Sequence, residues 1–400
     1  MADSGNGGAG SHEPHADDPT LNRPPRNRYD RMEWAGAFGD LGTLIPFVAA
    51  YIGVLGMDPL GVLFAFGVAM LVCGLVYRTP IPVQPMKAIG AVASIQAVQT
   101  AVVTPGAVHV AALATGLTWL VLGASGAMRH VARWVPPSVV AAIMLGLGVG
   151  FMLQGIKMMQ GDLVLAVLAG VLTLSLIGNR RMPAMFAVLV FGAAVGAWRQ
   201  PELLSRLAAM PIAFRLPTVE LSGLSWNEVF VGVVLLALPQ IPLTLGNAIL
   251  AITQENNRLF PARPVSAGRM SVSTGLMNLF SGVAGGVPMC HGAGGMAGHV
   301  AFGARTGGSV VILGTILLAL ALFFSGAVTT LFALFPPAVL GVLLFVTGLQ
   351  LAVGTGPLPG ERAERVVVLA CAAVCIWNVA AGFLVGLALH HAARRGWLRL

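Results

Sequence analysis

Lys87 stands in the stretch TPIPVQPMKAIGAVA, residues 79–93, among apolar residues and just after three prolines. It is one of only two lysines in 400 residues. A lysine held in an apolar layer costs about 2.5–3.5 kcal/mol on insertion scales, so it needs a partner or a purpose. A bound anion would supply both. The plainer readings are an ion pair with Asp40 or a stem that carries the ammonium out to water. Asp40 in turn can pair with Lys87, carry a coupling proton, or serve helix packing. Other polar groups interrupt apolar runs as well. Gln84 precedes the Pro-Met pair that leads into Lys87, and Gln240, Thr244 and Asn247 follow prolines. Amides and hydroxyls so placed can hydrogen-bond an oxyanion or cap a kinked helix. Cys290 and His291 are adjacent, which is too few ligands for a metal site. Gly292, Gly294 and Gly295 resemble a phosphate cradle, but no Gly-Lys-Ser/Thr follows, so they read as small residues that admit a close approach. No nucleophile and base pair up, so we expect no enzyme, no cofactor and no metal.

The elements that must position these residues are set by composition. The chain is 56% hydrophobic and 10% charged, with a mean hydropathy of +0.84, whereas a soluble domain carries roughly 25% charged residues. An integral, all-α membrane protein is expected, its spans surrounded by a lipid bilayer. Apolar runs place fourteen spans at 34–56, 59–77, 85–101, 108–128, 137–155, 162–178, 183–198, 229–252, 271–285, 288–303, 309–329, 335–353, 364–377 and 378–392. Residues 1–31 read as a disordered cytoplasmic tail without a secretory signal. The net charge of +8 comes from arginines at the ends of apolar runs, which points to membrane sidedness and away from nucleic acid. Loops after even-numbered spans hold Arg78, Arg129, Arg133, Arg180, Arg181, Arg258, Arg263, Arg269, Arg305, Arg362 and Arg365. Those after odd-numbered spans hold only Lys157, Arg199, Arg206 and Arg215. Both termini are therefore expected in the cytoplasm. Arg305 fits the C-terminal end of its helix.

Residues 113–148 and 313–348 share Leu113, Thr115, Leu117, Leu120, Leu122, Ser125, Gly126, Ala127, Pro136, Pro137, Val139 and Gly148 at an offset of 200. Chance explains shared leucines, but poorly explains Ser-Gly-Ala followed by Pro-Pro. A duplication with seven spans per copy must run the second copy in the opposite direction, a 7+7 inverted repeat with units 32–228 and 229–400. Within it, Pro85-Met86 matches Pro288-Met289. Both prolines are expected to start short half-helices, spans 3 and 10, preceded by extended segments at 80–84 and 285–287. Two helix N-termini of roughly +0.5 each and the Lys87 ammonium then sum to about +2, the complement of a tetrahedral dianion.

The segments FGDLGTLIPF (38–47), PVQPMKAIGAVA (82–93), LPQIPLTLGNAI (238–249) and CHGAGGMAGHVAFGARTG (290–307) resemble the signatures of the molybdate transporter family. That family is a branch of the sulfate permease superfamily, found in plants and prokaryotes. The resemblance runs from about Glu33 to the last span. It implies the fold shared by sulfate permeases and uracil permease, with a core domain of spans 1–4 and 8–11 and a gate domain of spans 5–7 and 12–14. It also implies a substrate site between spans 1, 3, 8 and 10. Matching positions there are Asp40 and Thr43; Gln84, Met86, Lys87 and Ala88; Gln240, Thr244 and Asn247; and Cys290, His291, Gly292 and Ala293. Typical sulfate permeases carry a C-terminal regulatory domain, and this chain ends eight residues past its last span, in keeping with the molybdate branch.

The function expected is secondary active import of a tetrahedral oxyanion, molybdate first and sulfate as the near rival, by alternating access. A proton, coupled through Asp40, is favoured over sodium. An anion channel is the alternative of another class. A bacterial plasma membrane is the expected location, and the fold allows a homodimer.

Overall fold

The computed structural model describes residues 26–53, 55–86, 89, 103–177, 179, 182, 184–218, 223–353, 355, 361–395 and 397. Most of the expected span 3, with Lys87 and Ala88, lies outside them.

The first helix, α1 (Arg31–Ala37), is capped by Asp30, whose side chain accepts from the N–H groups of Met32 and Glu33. It stops at a turn over Phe38–Asp40, and α2 (Leu41–Gly53) starts beyond it. The single span expected over 34–56 is thus broken at Asp40. In that turn Gly39 lies against the backbone of Gly298 with no room for a Cβ. Asn27 Nδ2 donates to the Gly74 carbonyl at 2.9 Å and the Arg28 N–H to Thr306 Oγ1 at 3.1 Å, so a loose tail through residue 31 is not observed.

Helix α3 (Pro59–Tyr77) begins at an Asp58 cap with proline in its first turn and ends at Arg78 in the left-handed region (φ 55°). Then come β1 (Gln84–Pro85), α4 (Pro105–Ala124), α5 (Ala127–Trp134), α6 (Pro137–Met159), α7 (Leu163–Leu176), α8 (Ala184–Arg199) and α9 (Pro201–Ala209). Because α6 runs to Met159, Lys157 belongs to its last turn and not to a loop. A 98° bend separates α8 from α9. The long helix α10 (Trp226–Leu259) opens on a Ser225/Glu228 capping box. It absorbs Pro242 between two π-helical stretches, Val231–Ala237 and Thr244–Ala251. The order closes with α11 (Ala267–Val283), β2 (Met289–Cys290), α12 (Ala293–Ala301), α13 (Gly308–Phe324), α14 (Val328–Ala333), α15 (Pro337–Val353), α16 (Arg362–Trp377) and α17 (Val379–Arg394).

Among the described residues, five helical stretches are long and apolar enough to cross a membrane: α3, α4, α6, α10 and 308–333. The α8–α9 pair would count as a sixth if taken as one bent span, and α7 and α15 are shorter apolar helices. Large apolar side chains such as Leu163, Val164, Val167 and Val171 on α7 face outward, as a lipid-facing surface requires.

Helices pack in long pairs: α6 with α15, α4 with α11, and α3 with α13. Small residues let the first pair touch backbone to backbone. A Cβ added at Gly148 would stand 2.7 Å from the Gly348 carbonyl oxygen, and one at Gly155 2.6 Å from that of Gly341. Gly148 and Gly348, matched at the 200-residue offset, thus meet each other.

Candidate functional site

Extended chain at 79–86 and 286–291 crosses as two short antiparallel strands, with Gln84 opposite Cys290 and Pro85 opposite Met289. The extended segments are as expected, but the prolines are not helix starts. Pro288 lies in the extended run, and its carbonyl accepts from the Met86 N–H at 2.9 Å. The helix begins at Ala293, with Gly292 as its cap. A proline lacks the N–H that a ladder uses, yet it can sit in a two-residue strand whose bonds fall on its neighbours.

Neighbouring helices brace this crossing. Asn278 on α11 clamps Met289 from both sides: its Nδ2 donates to the Met289 carbonyl at 2.6 Å, and its Oδ1 accepts from the Met289 N–H at 2.8 Å. Ser281 donates to the Val287 carbonyl at 2.7 Å. His291 Nδ1 donates to the Pro82 carbonyl at 2.8 Å, which leaves Nε2 to accept from the Ser273 hydroxyl at 2.9 Å in the neutral ring. The imidazole therefore ties one strand to the other and to α11, with both nitrogens engaged.

Beside the crossing sits a buried polar cluster. Asp40, Thr43 and Gln84 are each at most 4% exposed. Gln84 Nε2 donates to Asp40 Oδ1 at 2.7 Å and to Thr43 Oγ1 at 2.9 Å. Thr43 in turn donates to the Asp40 carboxylate and to the Asp40 carbonyl. Asp40 is thus the acceptor on which the donors of two elements converge. Gly292 and Gly295 make room for it: a Cβ at Gly295 would stand 2.8 Å from Gln84 Nε2 and 2.9 Å from Asp40 Oδ2, and one at Gly292 would collide with Gln84 Oε1. That oxygen has no hydrogen-bond partner among the described residues.

The α10 residues approach from the other side. Asn247 Oδ1 accepts from the Ala293 N–H at 3.3 Å, capping the first turn of α12. Gln240 Nε2 donates to Thr244 Oγ1 at 3.0 Å, both side chains being buried. Met86 and Cys290 are buried and contribute their backbones to the crossing. The structure therefore brings Asp40, Thr43, Gln84, Gly292 and Gly295 into one cluster, adds Asn247 through Ala293, and turns His291 toward Pro82 and Ser273.

Sequence reasoning missed the bracing on α11. Ser271, Thr274, Asn278 and Ser281 are all fully buried and recur at helical spacing along one face. That polar stripe on an apolar helix was the available signal. It also missed Glu33, fully buried, whose carboxylate accepts from the N–H groups of Arg305, Thr306 and Ser309 and so anchors α1 to the start of α13. Burial pushes this carboxyl up, against the opposite pull of those three donors. Arg305 behaves as expected: its guanidinium donates to the Val300 and Ala304 carbonyls at the end of α12. A cavity of about 480 Å³ opens there, with Arg28, Arg31 and Arg305 in its lining. Among the described residues, no cluster of metal-ligating side chains occurs.

Comparisons with known proteins agree with this architecture. The family model described as "Molybdate transporter of MFS superfamily" matches residues 32–151 and 232–351, two blocks whose bounds differ by 200. Molybdate transporter 2 of Arabidopsis thaliana is 31% identical over 409 aligned residues, covering 90% of this chain and 86% of that protein. In fold, the chain matches the transmembrane domain of the cyanobacterial bicarbonate transporter BicA, with a TM-score of 0.55 at 16% identity, covering 89% of this chain and 97% of that one. It also matches the murine Solute Carrier 26 family member A9 anion transporter, with a TM-score of 0.61 at 15% identity, covering 95% of this chain and 70% of that one.

Proposed function

The chain belongs to the molybdate transporter family, and from that premise we propose that it carries a tetrahedral oxyanion, molybdate first, across a membrane by alternating access with proton uptake. The observation that carries the reading is the Asp40 hub. Gln84 Nε2 and Thr43 Oγ1 are the donors best placed to hold an oxyanion, and both are turned onto the Asp40 carboxylate. An ionised acceptor holds such donors about twice as strongly as a neutral one. A proton on Asp40 therefore loosens them for the substrate and removes a negative charge that would repel a dianion. One protonation achieves both, which ties proton uptake to anion binding. Lys87, two residues past the strand pair, supplies the positive charge, together with the N-terminus of α12.

Alternating access rests on the duplication. The two family-model blocks share the 200-residue offset, Gly148 meets Gly348, and the strands of the two copies pair antiparallel. These support fourteen spans in a 7+7 inverted repeat, with spans 1–4 and 8–11 as the core, spans 5–7 and 12–14 as the gate, and both termini in the cytoplasm.

The test is uptake of labelled molybdate into vesicles holding the purified protein, with and without a pH gradient and with sulfate as competitor. Accumulation driven by the gradient and resistant to equimolar sulfate is the expected result. Displacement by sulfate at equal concentration would make this a sulfate carrier, and equilibration without accumulation would make it a channel.

A further inference from the structure

Away from the Asp40 cluster, three elements distant in sequence close around a cavity of about 630 Å³. Arg133 comes from the last turn of α5, Glu364 from the first turn of α16, and His390, His391, Arg394 and Arg395 from the end of α17. The start of α6 forms a fourth side, and this helix begins without a side-chain cap. Three guanidinium groups and two imidazoles thus face a single carboxylate. Among the described residues, none of Arg133, Arg394 and Arg395 forms an ion pair, whereas Arg199, Arg215 and Arg258 each have a carboxylate partner. Arg395 instead stacks over the exposed Trp397 ring, 5.2 Å from its centroid.

Membrane sidedness alone places arginines on one face. It does not draw them from separate elements into one concavity. The geometry points to a second anion site, one that binds a phosphate group. Guanidinium forks match phosphate oxygens in pairs, and the volume lies in the range of small-ligand sites, about 300–1,000 Å³. The phosphate comes from the headgroup of an anionic lipid or from a soluble phosphate. The position favours the lipid, because three residues past the end of α17 stands the exposed Trp397, a residue type that settles at the headgroup level.

The experiment follows thermal unfolding of the full chain in neutral detergent while phosphatidylglycerol, phosphatidylcholine or inorganic phosphate is titrated in. Wild type is compared with R133Q/R394Q and with R362Q/R365Q, which removes the same charge outside the cavity. Phosphatidylglycerol should raise the midpoint of wild type and of R362Q/R365Q, and phosphatidylcholine should not. For R133Q/R394Q the half-saturating lipid concentration should rise about twenty-five-fold, at about fivefold for each arginine near an anionic surface. R394Q alone should show the fivefold change if the double variant fails to fold. A matching shift with inorganic phosphate assigns the site to soluble phosphate, and a shift with phosphatidylglycerol alone assigns it to the headgroup. An unchanged response in R133Q/R394Q, equal losses in both double variants, or no shift with either phosphate source would overturn the site.

Discussion

Replacing Asp40 by Asn keeps the shape of the hub and removes its charge. In wild type, two side-chain donors, Gln84 Nε2 at 2.7 Å and Thr43 Oγ1, end on the carboxylate. A hydrogen bond to a charged group contributes about 1.5–3 kcal/mol, and one between neutral groups about 0.5–1.5. Neutralising the acceptor therefore lowers the cost of turning each donor to a substrate by about 1 kcal/mol, or about 2 kcal/mol for the pair. That corresponds to roughly thirtyfold in affinity. Asp40→Asn should bind molybdate about thirtyfold more tightly than wild type at the alkaline end of a titration from about pH 5 to 8. The two proteins should converge as the pH falls and the wild-type carboxylate takes up its proton. Equilibrium binding of labelled molybdate reads this directly, and vesicle uptake should show the variant losing its response to a pH gradient. A well-folded Asp40→Asn protein with the wild-type pH profile would refute the hub as the coupling element.

Lys87→Ala should abolish saturable molybdate uptake while the protein still inserts and folds, and Lys87→Arg should also be impaired, since a planar fork does not replace a compact ammonium; both are read by uptake alongside a folding check. Asn278→Ala leaves the two backbone groups of Met289 unpaired, at about 1–3 kcal/mol each, and should lower stability by on the order of 2–6 kcal/mol in an unfolding assay. Gly295→Ala places a methyl group 2.8 Å from Gln84 Nε2, so it should weaken molybdate binding with little change in the unfolding midpoint.

The membrane class, the extended segments and the candidate polar residues were all legible, because composition and isolated polar groups in apolar runs carry direct energetic consequences. Asp40 and Gln84 stood out in this way, Thr43 came with the family resemblance, and the three do meet. Their arrangement was not legible. The donors that Gln84 and Thr43 turn onto Asp40 could not be read from the sequence. That follows from a strand pairing between residues 84 and 290, which no local pattern encodes. Pro85 and Pro288 misled for a related reason. Proline favours a helix start in isolation, but the partner strand decides whether its missing N–H matters. The break in span 1 was legible: Asp40 stands in a Gly-flanked stretch that could interrupt it, and the helix does stop there. Asn278 and Ser281 were visible as polar residues, but their partners, Met289 and Val287, are backbone groups and leave no side-chain signature.

The strand crossing also bears on how the protein is made. Its bonds join parts of the chain that leave the ribosome far apart in time; the His291 bond to Pro82 spans 209 residues. Until the second half arrives, the extended segment around Gln84 has no strand to pair with, and exposed backbone groups in lipid cost several kcal/mol each. The first half must therefore wait in a sheltered setting, in the insertion machinery or at the aqueous interface, and settle when the second half enters. A chain cut between the two copies should consequently be prone to degradation, and supplying the missing half as a separate polypeptide should restore it.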